Sequence, residues 1–280
     1  MGLRIGQQFA LRLILSLAPS AAAANEVVWH DLIDRELSQW EVWLGVPHSS
    51  VVGLPEGTYQ SDNVHQGEPL GLHQDPKKVF STQETDEETL LLISGEIYGG
   101  LTTLKTYQNY HFQTRFKWGE RKWAPRLNEK RDSGIIYHAH GEHGAFWETW
   151  KSSLEFQVQE KDMGDFIPLG GAKASYRGVR QGGRIVFDPN APEYINKGGY
   201  IHAKLEPDFP NGEWNTLDLY VLGDSAIHVV NGVVVFALTD AFDKEGNPLT
   251  PGQIQSEAAE CFYKQMRIRP ITEDLKGTKI

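Results

Sequence analysis

The sequence contains one cysteine, Cys261, among its 280 residues. A lone cysteine excludes an internal disulfide framework and a cysteine-rich zinc site, so we expect no disulfide partner. Basic residues are also scarce, since 27 lysines and arginines stand against 37 aspartates and glutamates, for a net charge of −10. Proteins that bind nucleic acid or anionic membranes non-specifically need the opposite balance, so neither partner is expected.

Long apolar runs are absent after residue 24, so we expect no membrane-spanning helix in the rest of the chain. Before that point, Arg4 and Arg12 are followed by a short apolar run at 13–18 and then by Ala22, Ala23 and Ala24. Charge, a short apolar core and small residues in this order are typical of a cleaved export signal. We therefore predict a signal peptide over residues 1–24, a single domain over 25–280 and a secreted or periplasmic protein.

A long 3.6-residue apolar period is missing, although residues 31–41 are compatible with a short helix. Alternation of apolar and polar residues, which is typical of half-buried strands, occurs instead at 110–118 and 214–222. In a last strand over Tyr263–Ile271, the same alternation predicts that Met266 and Ile268 point inward.

Turn signals complete the fold-class prediction. Asn231-Gly232 separates the apolar segments 226–230 and 233–238, and both residues tolerate a positive φ, which predicts a two-residue hairpin. Residues 172–212, rich in Gly, Pro, Asn and Arg, are expected to form long loops at one rim. The expected fold class is all-β, with two packed antiparallel sheets.

A polar row lies on the predicted strand within 152–167. One carboxylate and two carboxamides, Glu155, Gln157 and Gln159, alternate with the apolar positions 154, 156 and 158. Such a row offers donors and acceptors to a hydroxyl-rich ligand, and the rings of Trp147 and Trp150 are suited to stacking on a sugar. Asp165 follows at the strand end. For any one of these residues, a solvated strand face or ordinary core packing is the alternative explanation.

The neighbouring segment 131–143 (RDSGIIYHAHGEH) holds further reactive side chains. On an extended strand, Asp132, His138 and His140 share one face, so we expect the histidines to face the same cleft as Glu155. Imidazoles two residues apart can converge on a metal, which makes His138, His140 and Glu155 a candidate set for a divalent ion. P-loop, G-x-G-x-x-G and G-x-S-x-G motifs are absent, which argues against nucleotide and serine-hydrolase chemistry.

Short motifs are spread along the mature chain in a specific order. They are YQNYHFQTRFK at 107–117, DSGI at 132–135, EFQVQ at 155–159, GDF at 164–166, GEWN at 212–215, VNG at 230–232 and GQI at 252–254. Together they resemble the 3-keto-disaccharide hydrolase family from about Trp29 to Ile271. The family usually carries a Leu-Gln pair after the last motif, whereas here Gln255 leads directly into Ser256. The resemblance implies a concanavalin-like, laminin-G-like jelly roll and an exported carbohydrate-active enzyme.

The polar row bears on the mechanism. Glucanases that share this jelly roll use Glu-x-Asp-x-Glu on one strand, whereas here the second and third positions are Gln157 and Gln159. A carboxamide cannot act as a nucleophile or general acid of that kind. In a 3-keto sugar, however, the proton at C2 is acidic, so one base can start an elimination that expels the C1 substituent. We expect Glu155 or His138 as base, and a metal, or Arg267 with Gln157, as stabiliser of the enolate.

The predicted function is cleavage of glycosidic bonds in 3-keto-glycosides or 3-keto-disaccharides by elimination and hydration. The candidate catalytic residues are Glu155 and His138, and the candidate substrate-binding residues are Gln157, Gln159, Asp132, Trp150, Asp165 and Arg267. Two alternatives stay open. One is a non-catalytic carbohydrate-binding jelly roll, which has no need of an imidazole that titrates near neutrality. The other is a conventional glycoside hydrolase with carboxylates from other strands, such as Asp132 or Asp162.

Overall fold

The computed structural model describes residues 28–192, 194–195, 198–247, 249, 253–256 and 259–271, so the predicted signal peptide lies outside the described residues. All regular elements in these ranges are β-strands. No described helix has the length and hydropathy that a membrane span requires. The helix expected over 31–41 does not form, because Asp34 accepts hydrogen bonds from Ser38 and closes a turn before a strand begins at Trp40.

The described strands, in chain order, are β1 (His30–Asp31), β2 (Trp40–Leu44), β3 (Gly71–Leu72), β4 (Phe80–Glu84), β5 (Thr89–Ile93), β6 (Gly99–Thr103), β7 (Tyr110–Trp118), β8 (Asp132–His140), β9 (Ser152–Gln159), β10 (Phe166–Leu169), β11 (Lys173–Gln181), β12 (Arg184–Phe187), β13 (Tyr194–Ile195), β14 (Ile201–His202), β15 (Asn215–Leu222), β16 (Ser225–Val230), β17 (Val233–Phe242), β18 (Gln253–Ser256) and β19 (Cys261–Pro270).

One sheet of 16 strands bends into two facing layers. Its path runs β18-β8-β9-β10-β14-β12-β11-β17-β16-β15-β7-β19-β5-β4, with β1 on β19 and β13 on β11. The bend lies at β11, which pairs with β12 through residues 178–181 and with β17 through residues 173–176. Of the described pairings, only β12 with β14 is parallel. A second sheet, β3-β2-β6, completes the fold. The all-β, two-layer prediction is confirmed.

The core between the layers sets the direction of the β9 side chains. Tyr137 of β8 hydrogen bonds across the core to His228 of β16, with Oη and Nε2 2.9 Å apart. Phe156 of β9 stacks on the same imidazole at a centroid distance of 4.4 Å. Because successive side chains of a strand point to opposite faces, Glu155 and Gln157 must point out of the sandwich. The predicted polar row therefore occupies the outward face of this layer.

Two local predictions are confirmed and a third is wrong. β7 covers Tyr110–Trp118, and the pair Asn231-Gly232 joins β16 to β17 with φ angles of 49° and 79°. The stretch 172–212, expected to be loops, instead contains β11 to β14. Gly182 and Gly183, at φ 57° and 81°, turn the chain between β11 and β12. A Gly-Gly pair is itself a hairpin signal, which the loop-like composition of the segment concealed.

Candidate active site

A cavity of about 410 Å³ opens on the outward face of β8, β9 and β10. Its floor is formed by strand residues, whereas its walls come from loops that are distant in the sequence. The residues that line it are His65, Tyr98, Arg126, Asp132, Phe146, Trp147, Trp150, Glu155, Gln157, Ile167, Pro168, Leu169, Gly199 and Tyr200. Four residues of the sequence-based site prediction, Asp132, Trp150, Glu155 and Gln157, thus share one cavity.

Two carboxyl groups lie together on the cavity floor. Asp132 and Gly134 are two residues apart on β8, and so they face the same way about 7 Å apart along the strand. A Cβ placed on Gly134 would be 2.3 Å from Oε1 of Glu155, so this carboxyl lies directly over the glycine. The missing side chain at position 134 is therefore what lets Glu155 extend toward Asp132.

Asp132 is held by donors on several sides. Nη2 of Arg126 is 2.8 Å from its Oδ2, and Nε2 of Gln159 donates to the same oxygen at 3.0 Å. Burial raises the pKa of the Asp132 carboxyl, while Arg126, Gln159 and Gln157 act in the opposite direction by stabilising its charge. Gln159, which is not part of the cavity lining, thus positions Asp132 from behind.

In the described part of the chain, Glu155 has no comparable set of donors. Burial raises its pKa well above 4.5, and the nearby charge of Asp132 raises it further. Two carboxyl groups in one desolvated site cannot both ionise easily, so their titration belongs to the pair. Burial raises both pKa values, and the donors that stabilise a negative charge are those around Asp132.

One wall of the cavity is aromatic. Trp147 is 49% exposed, and its ring lies 4.4 Å from Phe146 and 4.2 Å from His65, between ring centroids. Trp150 packs deeper, with its ring 5.9 Å from that of Trp147. Flat apolar faces of this kind suit the C–H faces of a sugar ring.

Six buried polar atoms of the lining have no hydrogen-bond partner among the described residues. They are Nδ1 of His65, Nε of Arg126, Oδ1 of Asp132, Nε1 of Trp150, Oε1 of Gln157 and Oη of Tyr200. Buried polar groups are costly unless they are paired, so these atoms favour a ligand with both donors and acceptors. A ligand rich in hydroxyl groups meets this requirement.

His138 and His140 do not join Glu155 at the cavity. A bulge in β8 just before His140 adds one residue to the strand, and Ala139 packs beside Ile136 in a small apolar cluster. His138 is buried at φ 53°, neither of its ring nitrogens has a partner in the described part of the chain, and burial lowers its pKa to about 4. The expectation of a shared face is wrong because the bulge interrupts the alternation on which it depends.

Arg267 lies in the other layer of the sandwich. It belongs to β19, where its Nη2 donates to Oε1 of Gln113 at 2.7 Å and its guanidinium stacks 4.5 Å from the ring of Trp29. It points outward from that layer, as the alternation predicts, but this outward face is on the opposite side of the molecule from β9. The structure therefore does not bring Arg267 together with Glu155 and Gln157.

Asp165 and two neighbours form a different cluster. The ligand-type atoms of Asp162, Asp165 and His202 lie within 4.8 Å of one another, and in the described ranges they are the one such group of three. Asp165 is fully buried, accepts hydrogen bonds from His202 and from the backbone N–H of Ala203, and has its pKa raised to about 8 by burial. Lys130 pairs with Asp162. A possible metal-binding triad thus exists, and it consists of residues other than the predicted set of His138, His140 and Glu155.

A family model described as the 3-keto-alpha-glucoside-1,2-lyase-like domain matches residues 29–269. The chain belongs to this family. The resemblance predicted from the short motifs is thereby confirmed, and the protein is a glycosyl hydrolase-like, carbohydrate-related jelly-roll domain. None of the curated proteins matches the chain.

Several solved structures match this lyase-like domain at low sequence identity and low TM-score. A Parabacteroides distasonis protein with a provisional glycosyl hydrolase name is 13% identical over 87% of this chain and 100% of its own, with a TM-score of 0.47. The Bacillus licheniformis β-glucanase is 11% identical over 88% of this chain and 98% of its own, with a TM-score of 0.41. The Bacillus subtilis carbohydrate-binding module CBM66 is 9% identical over 68% of this chain and 91% of its own, with a TM-score of 0.38. Because these TM-scores are below 0.5, the likenesses support no inference about function.

Several lining residues of this family member were missed by the sequence analysis. Arg126 follows an irregular segment without periodicity, and His65, Tyr98 and Tyr200 come from separate loops. Nothing in the local sequence around these residues links them to β9. Trp147 was not missed, since the sequence analysis named it with Trp150 in the segment that precedes β9.

Proposed function

We propose that this protein is an exported enzyme that cleaves 3-keto-glycosides by elimination across C1 and C2, after which water can add to the product. The observation that carries the proposal is the pair of carboxyl groups of Asp132 and Glu155 on the floor of an aromatic-walled cavity. Membership of the 3-keto-alpha-glucoside-1,2-lyase-like family supports the choice of substrate and bond.

The reaction needs one base and one acid. A base removes the proton from C2, and the electron pair moves into the C3 carbonyl as an enolate. When the enolate collapses, a double bond forms between C1 and C2, the bond from C1 to the glycosidic oxygen breaks, and that oxygen takes a proton. Water addition would place hydroxyl on C1 and hydrogen on C2, which completes hydrolysis.

The surroundings of the two carboxyl groups assign their roles. Asp132 is paired with Arg126 and supported by amide donors, so it is the base. Glu155 is buried beside that negative charge and keeps its proton, so it is the acid for the departing oxygen. The proposal gives no role in proton transfer to His138, which does not line the cavity.

Substrates with different leaving groups test these roles. With a 3-keto-glucoside of a poor leaving group such as an alcohol, we expect Glu155→Gln and Asp132→Asn each to reduce kcat by 10²-fold or more, in line with about 10²–10⁴-fold for acid–base catalysis. With a nitrophenolate leaving group, which needs no proton, Glu155→Gln should regain most of the rate and Asp132→Asn should not. Equal rescue of both variants would contradict the assignment.

The same carboxyl pair favours a second candidate, a conventional glycoside hydrolase, because that chemistry also uses two carboxyl groups. Matched oxidised and unoxidised glycosides in heavy water separate the two. Elimination predicts fast cleavage of the oxidised substrate alone, with deuterium at C2 of the hydrated product or of recovered ketone. Equal cleavage of both without C2 exchange would establish the conventional reaction, and binding without cleavage would establish a binding module.

A divalent metal is the remaining part of the proposal, and we place it at Asp162, Asp165 and His202. The donor set of two carboxylates and one imidazole suits such an ion, which would take the place of the Lys130 ammonium beside Asp162. Metal analysis of purified wild type and His202→Ala tests this, with loss of bound metal expected in the variant. Equal metal content in both proteins would reject the site.

Export is tested separately. The order of charge, apolar run and alanines supports cleavage near Ala24. Sequencing the N-terminus of the protein recovered outside the cytoplasm should show a chain that starts close to Asn25, and a chain that starts at Met1 would refute the prediction.

A further inference from the structure

A small basic side pocket adjoins the main cavity. Its volume is about 20 Å³, and it shares Tyr98, Arg126 and Asp132 with the cavity. The other charged residues that line it are Lys122, Lys130 and Arg131, so four cations surround a space with one carboxylate. In a chain with a net charge of −10, this concentration of positive charge beside the carboxyl pair is a local exception.

Two guanidinium N–H groups of the side pocket residues are unsatisfied. Nε of Arg126 and Nε of Arg131 are buried and have no hydrogen-bond partner among the described residues. Their terminal nitrogens are engaged elsewhere, Arg126 with Asp132 and Arg131 with Glu160. The ammonium of Lys122 hydrogen bonds to a backbone carbonyl. Buried donors of this kind call for an acceptor, and a negatively charged one would gain most.

The size of the side pocket decides what that acceptor is. A cavity of about 20 Å³ accommodates roughly one water-sized atom, since about 10–15 Å³ of such space is the minimum for a water. A carboxylate or a sulfate group carries several heavy atoms and would extend beyond this space. A single oxygen that protrudes from a sugar held in the main cavity does fit.

We propose that the side pocket receives the C3 oxygen of the 3-keto sugar, and that Arg126 and Arg131 stabilise the negative charge that this oxygen gains when C2 loses its proton. This assignment rests on the proposed function. It replaces Arg267 as enolate stabiliser with residues on the correct side of the molecule. It also matches the order of atoms, because C2 and C3 are neighbours in the substrate just as Asp132 and Arg126 are neighbours in the site.

The test must separate direct stabilisation from help given through Asp132. Arg126→Gln also removes a charge that favours ionised Asp132, so loss of that help alone would be recovered at higher pH. We expect instead that the pH-independent plateau of kcat/KM falls by about 10²-fold or more, the usual effect of losing one oxyanion donor. Arg126→Lys should recover part of it.

Arg131→Gln provides an independent arm, because Arg131 pairs with Glu160 and not with Asp132. We expect two quantities to fall at least tenfold in this variant: the pH-independent plateau of kcat/KM and the rate of deuterium exchange at C2 of recovered ketone. Arg121→Gln is the matched control, since Arg121 lies in the same segment, is 69% exposed at its side chain and does not line the side pocket. Its rates should equal those of wild type.

Several results would overturn the assignment. One such result is that kcat/KM of Arg126→Gln returns to the wild-type value at high pH while Arg131→Gln behaves like Arg121→Gln. Arg126 would then be only a positioning residue for Asp132. If millimolar inorganic sulfate inhibited wild type in competition with the ketone, and no longer did so in Arg131→Gln, the side pocket would be a site for a polyatomic anion. A wild type that neither cleaves the ketone nor exchanges its C2 proton would refute the proposed function itself, and this inference with it.

Discussion

Gly134 offers a way to move the carboxyl group of Glu155, the proposed acid, without deleting it. Its backbone is not in the positive-φ region, so an alanine is sterically compatible with β8. The new Cβ would stand 2.3 Å from Oε1 of Glu155, whereas ordinary contact begins at 3.4 Å. The carboxyl must therefore retreat by about 1 Å, and a misplacement of that size can cost about 10²-fold in rate.

The effect of Gly134→Ala on stability should be small, because two terms oppose each other. Replacing a strand glycine by alanine stabilises by about 0.4–1 kcal/mol through the unfolded chain. Forcing the Glu155 side chain off its preferred rotamer costs about 0.5–1.5 kcal/mol. The net change stays within about 1 kcal/mol, or roughly 2–4 °C in Tm for a domain of this size.

The assay compares kcat and Tm of wild type, Gly134→Ala and Gly198→Ala. Gly198 serves as control because a Cβ there meets its nearest atom, in Pro168, at 4.0 Å. We expect kcat to fall by about 10²-fold in the first variant alone, with similar Tm values for all three. In a Glu155→Gln background, Gly134→Ala should cause no further loss, since it acts through that carboxyl. Wild-type activity in Gly134→Ala would refute the placement of Glu155 over the glycine.

Three further predictions concern binding and stability. Trp147→Ala should raise KM about tenfold with little change in kcat, because about 1.4 kcal/mol of stacking is lost from a wall that does not touch the reacting atoms; an unchanged KM would remove Trp147 from the sugar site. Gly232→Val should lower the free energy of unfolding in urea by about 1–3 kcal/mol, because a β-branched residue is strained at φ 79°, and an unchanged midpoint would argue against the hairpin. The free energy of unfolding should be greatest between about pH 4 and 6.5. Folded Asp165, with its pKa raised to about 8, keeps a proton that the unfolded chain has released, so the protein loses stability as the pH rises toward 8. Buried His228, with its pKa lowered to about 3, stays neutral in the folded protein but gains a proton in the unfolded chain, so the protein also loses stability as the pH falls below 6.5. Thermal melts from pH 3 to 9 should show both limbs, and Asp165→Asn should flatten the upper one; an upper limb that is unchanged in Asp165→Asn would show that another group causes it.

The sequence by itself determined those features that depend on neighbours along the chain. Alternation defined β7 and turned the polar row of β9 away from the core, because side-chain direction in a strand follows directly from position. Asn231-Gly232 identified a hairpin, because few residues other than glycine and asparagine accept positive φ. Order and spacing of short motifs were enough to indicate the family, and the acid-poor row on β9 argued against a conventional retaining mechanism carried by that strand alone.

Tertiary structure decided which side chains meet. The bulge in β8 turns His138 away from the cavity. A single sequence does not predict such a bulge, because one extra residue does not change the apolar–polar pattern in a recognisable way. Arg267 lies on the side of the molecule opposite to β9, because β19 belongs to the other layer of the sandwich. Alternation along a strand predicts whether a side chain points inward or outward, but not which layer the strand joins. Arg126 reached Asp132 from an irregular segment, and the absence of a side chain at Gly134 brought Glu155 beside the same carboxylate. The two carboxyl groups of the proposed acid–base pair therefore meet only because two strands pair in one register and Arg126 is brought to them from a distant segment.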